Sequence, residues 1–153
     1  MSKENDLAIA REVYDAFNSR DVEGAMGNAT DDLEIELVPF GRTFRGPAGL
    51  REFMEGWIEP FPDARVEVTN MVAGDDGRVA VEFVGRGTHT GTLKTPTGDV
   101  APTNRQAEGR YCEVMEMRDG KVARLRSYFD GATMMRQLGL MPAAPQPGAA
   151  TRP

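Results

Sequence analysis

The chain has 153 residues, 40% of them hydrophobic and 27% charged, with a formal net charge of −6. This length and composition predict one globular domain with a single core. The negative charge provides no basic surface for a phosphate backbone, which excludes nucleic-acid binding. The sequence has one cysteine, Cys112, and no signal peptide or apolar run of about 18 residues, so we expect a cytoplasmic protein without a membrane partner.

Helices dominate the first part of the chain. Apolar residues recur there at spacings of three and four, which is typical of amphipathic helices, and the alternating letters LEIEL predict a strand between them. A Gly-Pro pair introduces the third helix, because proline is well tolerated in a first turn. The predicted helices cover residues 4–19, 22–27 and 47–59, and the strand covers 33–37.

From residue 66 onward the apolar period changes from 3.6 to 2, which predicts antiparallel strands. The turn signals GDDG and RDGK mark two hairpins, with a loop between them. After the first turn, Phe83, Gly85, Gly87 and His89 share one face, because alternate side chains point to the same side. A final helix is predicted over GATMMRQLG.

These elements predict an α+β domain. Its curved antiparallel sheet forms a cone, packed against N-terminal helices and followed by a short C-terminal helix. Strand glycines allow the sheet to bend around an enclosed space. We expect the domain to cover residues 1–140 and the Pro- and Ala-rich residues 141–153 to be a disordered tail.

The register of the second hairpin decides which of its side chains face inward. A two-residue turn in RDGK pairs Glu113 with Arg126 and Tyr111 with Tyr128, whereas one β-bulge reverses the assignment. Either register leaves apolar side chains on the outer face, which favours a homodimer or homotetramer. These outward apolar side chains are Met115 and Met117, or Val114 and Leu125.

Several short motifs follow one another in a recognisable order. They are FPD at 61–63, GTHTG at 87–91, PTGDVAPTNR at 96–105, RDGKV at 118–122 and YFDGATMMRQLG at 128–139. In order and spacing they resemble the SnoaL-like polyketide cyclases, a group within the nuclear-transport-factor-2-like superfamily of curved-sheet cones. That superfamily includes isomerases, cyclases, hydrolases, dehydratases and binding domains, so the resemblance specifies the fold more closely than the reaction.

The resemblance implies a cofactor-independent cyclase acting on a hydrophobic, polyketide-like carbonyl compound. In such enzymes an aspartate removes a proton beside a carbonyl, and the enolate then attacks a second carbonyl; by resemblance, Asp130 is that base. His89 is the candidate donor to the enolate oxygen, with a neighbouring threonine fixing its tautomer. The alternative interpretations are an N-cap role for Asp130 and an internal hydrogen bond for His89.

The expected partner is a small hydrophobic molecule, with no metal and no cofactor, because one histidine and one cysteine cannot form a zinc site. The candidate substrate-binding residues are Tyr14, Phe17, Trp57, Phe61, Tyr111, Glu113, Arg126 and Tyr128. Core packing is the alternative for the first four of these residues. A cross-strand ion pair is the alternative for Glu113 and Arg126.

Three other functions remain open. The first is non-catalytic binding of a small hydrophobic ligand. The second is epoxide hydrolysis, for which Arg126, Asp130 and Glu113 offer an acid-arginine-acid set. The third is a ketosteroid-isomerase-like proton shuttle, but an ungapped alignment puts Val13 and Leu37 where that family has its tyrosine and first acid. Tyr14 or Glu36 would occupy the tyrosine or first-acid position only if the alignment were shifted by one residue.

Overall fold

A computed structural model of the chain describes residues 2–142. Within these residues the chain forms four α-helices and eight strands. The helices are α1 (Lys3–Ser19), α2 (Val22–Gly27), α3 (Gly46–Ile58) and α4 (Gly131–Gln137). The strands are β1 (Ala29–Leu37), β2 (Arg42–Arg45), β3 (Arg65–Ala73), β4 (Arg78–Thr88), β5 (Leu93–Thr95), β6 (Gly98–Val100), β7 (Gln106–Arg118) and β8 (Lys121–Phe129). Residues 143–153 of the predicted tail lie outside the described residues.

The helix starts follow local capping chemistry. The Ser2 hydroxyl accepts a hydrogen bond from the Asn5 backbone N–H, and the Asp21 carboxylate accepts one from Gly24. Each cap satisfies a backbone donor that has no partner within the helix. The four predicted helices are confirmed, with boundaries that differ by one or two residues.

Six strands form one curved, open sheet in the order β2-β1-β8-β7-β4-β3. The predicted α+β architecture is confirmed, with one correction to the strand directions. β1 and β8 run parallel, whereas the other neighbouring strands of this sheet are antiparallel. The β7-β8 hairpin sets the direction of β8, and this direction is the same as that of β1 beside it.

The segment predicted as a loop between the two hairpins contains a small ribbon of its own, β5 paired with β6. The Thr95 hydroxyl donates to the Gly98 carbonyl oxygen across the turn, at 2.6 Å. Leu93 is buried in a small cluster with Phe61 and with Met134 of α4. The ribbon therefore packs onto the end of the domain.

A β-bulge determines the register of the second hairpin. The pairing shifts between Glu116 and Met117, where β8 contains one extra residue. Glu113 consequently faces Ser127, and Arg126 faces Val114. Of the two registers left open by the sequence, the structure has the one with a bulge, because one extra residue moves every following side chain to the opposite face.

The same bulge determines which side chains of β7 and β8 lie on the outer face of the sheet. Met115 and Leu125 are buried in the main core, between the helices and the concave face of the sheet, and Met117 packs against this core. Val114 lies on the convex face beside Arg126. The apolar content of the outer face is smaller than expected, and self-association stays a prediction.

None of the helices in residues 2–142 is both long and apolar enough to cross a membrane.

Candidate functional site

A cavity lies between the helices and the concave face of the sheet. Its empty volume, including space open to solvent, is about 890 Å³. Most of its wall is apolar, which is typical of sites for small hydrophobic ligands. The predicted substrate-binding residues in its wall are Tyr14, Phe17, Trp57, Phe61, Tyr111 and Glu113.

Aromatic rings form one continuous side of the cavity. The rings of Phe83 and Tyr111 are parallel, with centroids 5.0 Å apart and planes at 2°. The Tyr14 ring contacts Phe83 at 5.1 Å, and the Trp57 ring meets Tyr111 edge-on at 5.9 Å. These rings fix the shape of the wall through mutual contact.

Two strand glycines make room for these rings. A Cβ atom on Gly85 would lie 2.9 Å from Cε1 of Tyr111, and one on Gly87 would lie 2.9 Å from Cβ of Phe61. Aromatic side chains therefore fill the space that the two glycines leave free. The glycines serve the cavity wall by letting the rings lie against the sheet.

Glu113 is a buried carboxyl group in this wall, with 5% of its surface exposed. The Tyr14 hydroxyl donates a hydrogen bond to its Oε1 at 2.8 Å, and the Ser127 hydroxyl forms a second hydrogen bond from β8. No Lys or Arg within residues 2–142 forms an ion pair with it. Burial raises the pKa of Glu113, and the two hydrogen bonds oppose this rise.

Two tyrosines stay protonated beside this carboxyl. Burial, followed by the Glu113 charge, holds the pKa of Tyr14 well above its usual value. Burial and the same charge raise the pKa of Tyr111 to about 12. The Tyr14 proton is used in its bond to Glu113, whereas the Tyr111 hydroxyl has no hydrogen-bond partner in the described part of the chain. Tyr111 can therefore donate to a ligand.

Asp130 lies outside the cavity, contrary to the role of base that the resemblance implies. It is the N-cap of α4: its carboxylate accepts the Thr133 backbone N–H at 3.0 Å and the Thr133 hydroxyl at 2.6 Å. The side-chain bond from Thr133, with the backbone bond, lowers the pKa of Asp130. The carboxyl is exposed to solvent, so neither its position nor its acidity suits a base in an apolar cavity.

His89 is fully buried but is absent from the cavity wall. The Thr103 backbone N–H donates to Nδ1 at 3.2 Å, which puts the ring proton on Nε2. The Thr103 hydroxyl lies 3.0 Å from Nδ1, and the ring packs against Phe61 at 5.6 Å. The backbone N–H of Thr103 fixes the tautomer, in place of the neighbouring threonine expected to do so, and the imidazole does not reach the cavity. Nε2 has no hydrogen-bond partner within residues 2–142.

Arg126 and Tyr128 lie on the convex side of the sheet. The Arg126 guanidinium donates to Glu116 at 3.1 Å, and Tyr128 is 41% exposed. Both were predicted inside, and the extra residue in β8 accounts for the reversal. The acid-arginine-acid set required of an epoxide hydrolase is therefore not assembled, because Arg126 and Asp130 both point away from Glu113.

The groups of a ketosteroid-isomerase-like site are present only in part. Tyr14 of the first helix and Glu113 of a later strand meet in the cavity, despite the alignment that put Val13 at the tyrosine position. On the first strand, Ile35 faces the cavity and Glu36 faces away, so the first acid is missing.

Residues 2–142 contain no group of three His, Cys, Asp or Glu side chains that could hold a metal ion.

Phe83 and Ser127 are among the wall residues that sequence reasoning missed. Phe83 had a visible signal, because it alternates with apolar residues of its strand on the face predicted to be inside. Ser127 had none, since its inward direction depends on the bulge in β8.

The open curved sheet, the flanking helices and the apolar cavity define a nuclear-transport-factor-2-like protein. Within that class, the chain belongs to the SnoaL-like polyketide cyclase family, whose model matches residues 8–138. No curated protein sequence matches the chain.

Solved structures share the whole domain. The chain is similar to AclR from Streptomyces galilaeus, to which a hydroxylase activity is ascribed, with 26% identity, a TM-score of 0.79 and coverage of 95% of this chain and 91% of AclR. It is similar to IdmH from Streptomyces antibioticus, to which a polyketide cyclase activity is ascribed, with 28% identity, a TM-score of 0.73 and coverage of 88% and 98%. A SnoaL-like protein from Jannaschia sp. CCS1, with 17% identity, a TM-score of 0.79 and coverage of 92% and 95%, shares the fold.

Proposed function

We propose that the protein is a cofactor-independent, cyclase-type enzyme that closes a ring in a hydrophobic carbonyl compound by intramolecular aldol addition. Membership of the SnoaL-like family supports a cyclase-type role. AclR and IdmH carry different ascribed activities, hydroxylase and cyclase, so the choice of reaction rests on the site.

The observation that carries the proposal is the Glu113 carboxyl, buried in an apolar wall without a cation. The ionised carboxyl removes a proton from the carbon beside a carbonyl, which leaves an enolate. The enolate carbon then attacks a second carbonyl of the same molecule and forms a C–C bond. The new alkoxide takes the proton back from Glu113, so the group ends in its starting state. Burial makes Glu113 a stronger base than an exposed carboxylate.

Two tyrosines assist in different ways. Tyr111 donates a hydrogen bond to the enolate oxygen as negative charge develops there. Removing such a donor typically costs about 3 kcal/mol of transition-state stabilisation. Tyr14 is a positioning residue, because its hydroxyl holds Oε1 of Glu113 in place.

Hydrogen-deuterium exchange tests proton abstraction without knowledge of the natural substrate. The protein is incubated with the apolar ketone 2-tetralone in D₂O, and loss of the proton signal beside the carbonyl is followed by NMR. We expect the protein to accelerate exchange, and Glu113→Gln to reduce the acceleration by roughly 100-fold or more. Binding of the ketone, followed through Trp57 fluorescence, should remain.

Asp130→Asn is the matched comparison, because Asp130 is the base implied by the family resemblance. Exchange that survives Asp130→Asn and is lost in Glu113→Gln supports the proposal, whereas the reverse pattern assigns the base to Asp130. Binding without acceleration by the unsubstituted protein would favour the alternative, a non-catalytic ligand-binding domain.

A further inference from the structure

A short segment covers one end of the cavity from outside. It consists of residues 92–102, which contain the β5-β6 ribbon, and we call it the flap. Leu93 of the flap is buried against Phe61 and Met134, and Val100 packs against the same cluster. Phe61 and Met134 also belong to the cavity wall, so the flap covers the outer side of this part of the wall.

The flap is fastened at its two ends. In the described part of the chain, residues 92–102 form hydrogen bonds only among themselves. Just before the flap, the Gly91 N–H donates to the Pro60 carbonyl oxygen at 3.1 Å. Just after it, the Thr103 N–H donates to Nδ1 of His89 at 3.2 Å. Apart from its apolar contacts, the flap is therefore attached to the domain at these two places.

His89 can hold Thr103 only while its ring is neutral. A neutral imidazole has one nitrogen that accepts a hydrogen bond, whereas a protonated imidazole carries a proton on both nitrogens and accepts none. In the cation, the Nδ1 proton and the Thr103 N–H would point at each other in a fully buried place. Burial also lowers the pKa of His89, which favours the neutral ring while the flap is closed.

The charged side chains around the ring and on the flap are all exposed, and they are Glu59, Asp63, Lys94, Asp99 and Arg105. Within residues 2–142, the hydrogen-bond partner of the imidazole is Thr103, and none of these five side chains bonds to the ring. The hydrogen bond from the Thr88 backbone lowers the pKa of Asp63 from 3.8, so its charge is constant where histidine titrates. His89 is therefore the group whose charge changes here near neutral pH.

We propose that His89 is a pH-sensitive latch for the flap: the neutral ring holds Thr103 and keeps the flap closed, and the protonated ring releases it. Release uncovers the outer side of Phe61 and Met134, which loosens this end of the cavity wall. The inference goes beyond the proposed function, because such a device would control access to a binding domain as well as to an enzyme.

The direction of the pH dependence follows from the two states of the ring. A released ring has the ordinary pKa of 6.5, and the ring in the closed flap has a lower one. Between these two pKa values the open state binds more protons, so a falling pH favours opening. One linked proton makes opening easier by up to about tenfold for each pH unit below 6.5.

His89 is the single histidine of the chain, so its titration can be followed directly by NMR with nitrogen-15 histidine. We expect the Nε2–H tautomer above pH 6.5 and a protonation midpoint below 6.5. Amide hydrogen exchange of Thr103, measured over the same pH range, should lose protection by up to about tenfold per unit. The Val122 N–H, which donates to the Asn28 carbonyl oxygen at the other end of the sheet, is the internal reference and should keep its protection.

Oxidation by hydrogen peroxide tests whether the flap itself moves. Met134 packs against Leu93 of the flap, whereas Met115 is buried in the main core, and mass spectrometry measures the oxidation of both. Met134 should be oxidised faster below pH 6.5 than above it, and Met115 should show no such change. In His89→Gln the amide oxygen accepts the Thr103 N–H at any pH, so the rate at Met134 should no longer depend on pH.

Three results would overturn the inference: a histidine midpoint at or above 6.5, protection of Thr103 that persists while the ring becomes protonated, or oxidation of Met134 that does not change with pH. The same pH dependence in His89→Gln would also overturn it. The first three measurements use the unsubstituted protein, so they decide the matter even if the variant fails to fold. None of them depends on the outcome of the exchange assay with 2-tetralone.

Discussion

At the scale of single residues, burial and hydrogen bonding act in opposite directions on Glu113. Removing a carboxylate from water costs several kcal/mol, whereas each hydrogen bond to the charged form returns about 1.5–3 kcal/mol. Tyr14 and Ser127 offset only part of that cost, and the pKa of Glu113 is raised. Asp130 shows the opposite balance, because it is exposed and its hydrogen bonds lower its pKa.

Tyr14→Phe removes the hydroxyl that bonds to Oε1 of Glu113. Because this bond favours the charged carboxylate, we expect the pKa of Glu113 to rise further in the variant. The measurement is an NMR titration of the Glu113 side-chain carboxyl carbon in both proteins. Tyr111→Phe is the control and should change that pKa less, since Tyr111 donates no hydrogen bond to Glu113. A lower pKa in Tyr14→Phe would contradict the account.

Asp130→Ala removes the cap of α4. We expect the free energy of unfolding to fall by about 1 kcal/mol, as is typical for loss of an N-cap side chain. Urea denaturation measures the change. Asp99→Ala, at an exposed aspartate of β6, is the comparison and should have a smaller effect. Equal stability of the two variants would argue against a capping role for Asp130.

At the scale of elements, the sequence predicts what depends on local spacing. Tyr111 and Glu113 face the same side because they are two residues apart in one strand, and this holds in the structure. The direction of Arg126 depends on one extra residue in β8, which no letter of the sequence marks. The parallel pairing of β1 with β8 joins segments far apart in the chain, so local patterns do not reveal it.

The segment that follows β4 passes so close to the end of α3 that Gly91 has no room for a side chain. A Cβ atom on Gly91 would lie 1.8 Å from the Glu59 carbonyl oxygen, and the Gly91 N–H donates to the Pro60 carbonyl oxygen at 3.1 Å. We expect Gly91→Ala to lower the free energy of unfolding by about 1–3 kcal/mol, because the backbone must move apart. Thermal and urea denaturation measure this loss.

Gly56→Ala is the matched substitution in the same region. Gly56 is exposed within α3, and a Cβ atom there meets nothing within 4 Å. Alanine favours the helix over glycine by about 0.5–1 kcal/mol, so this variant should be more stable than the original protein. Opposite signs for the two variants support the close approach at Gly91, and a neutral Gly91→Ala would refute it.

At the scale of the whole molecule, the ionisation of Glu113 is linked to folding. Its pKa is raised in the folded protein above the ordinary value of 4.5 that applies to the unfolded chain. Between these two pKa values the folded state binds more protons, so the free energy of unfolding falls as the pH rises. The stabilising effect is complete below pH 4.5 and is lost once the pH passes the folded pKa.

Urea denaturation of the original protein and of Glu113→Gln, from pH 4.5 upward, isolates this linkage. Because glutamine does not titrate, other ionisable groups contribute to both proteins alike and cancel in the difference. We expect the stability of the original protein to decline relative to the variant as the pH rises. A constant difference would mean that folding leaves the pKa of Glu113 unchanged.

The proposed base depends on the cavity, because the fold encloses an apolar space and Glu113 is the one carboxyl among the described residues of its wall. A carbon-13 NMR titration of glutamate side-chain carboxyl carbons tests this most directly, with the Glu113 signal assigned by its loss in Glu113→Gln. The account predicts a titration midpoint clearly above 4.5. A midpoint at or below that value would describe a carboxyl in contact with water or a cation, and would contradict the proposed base.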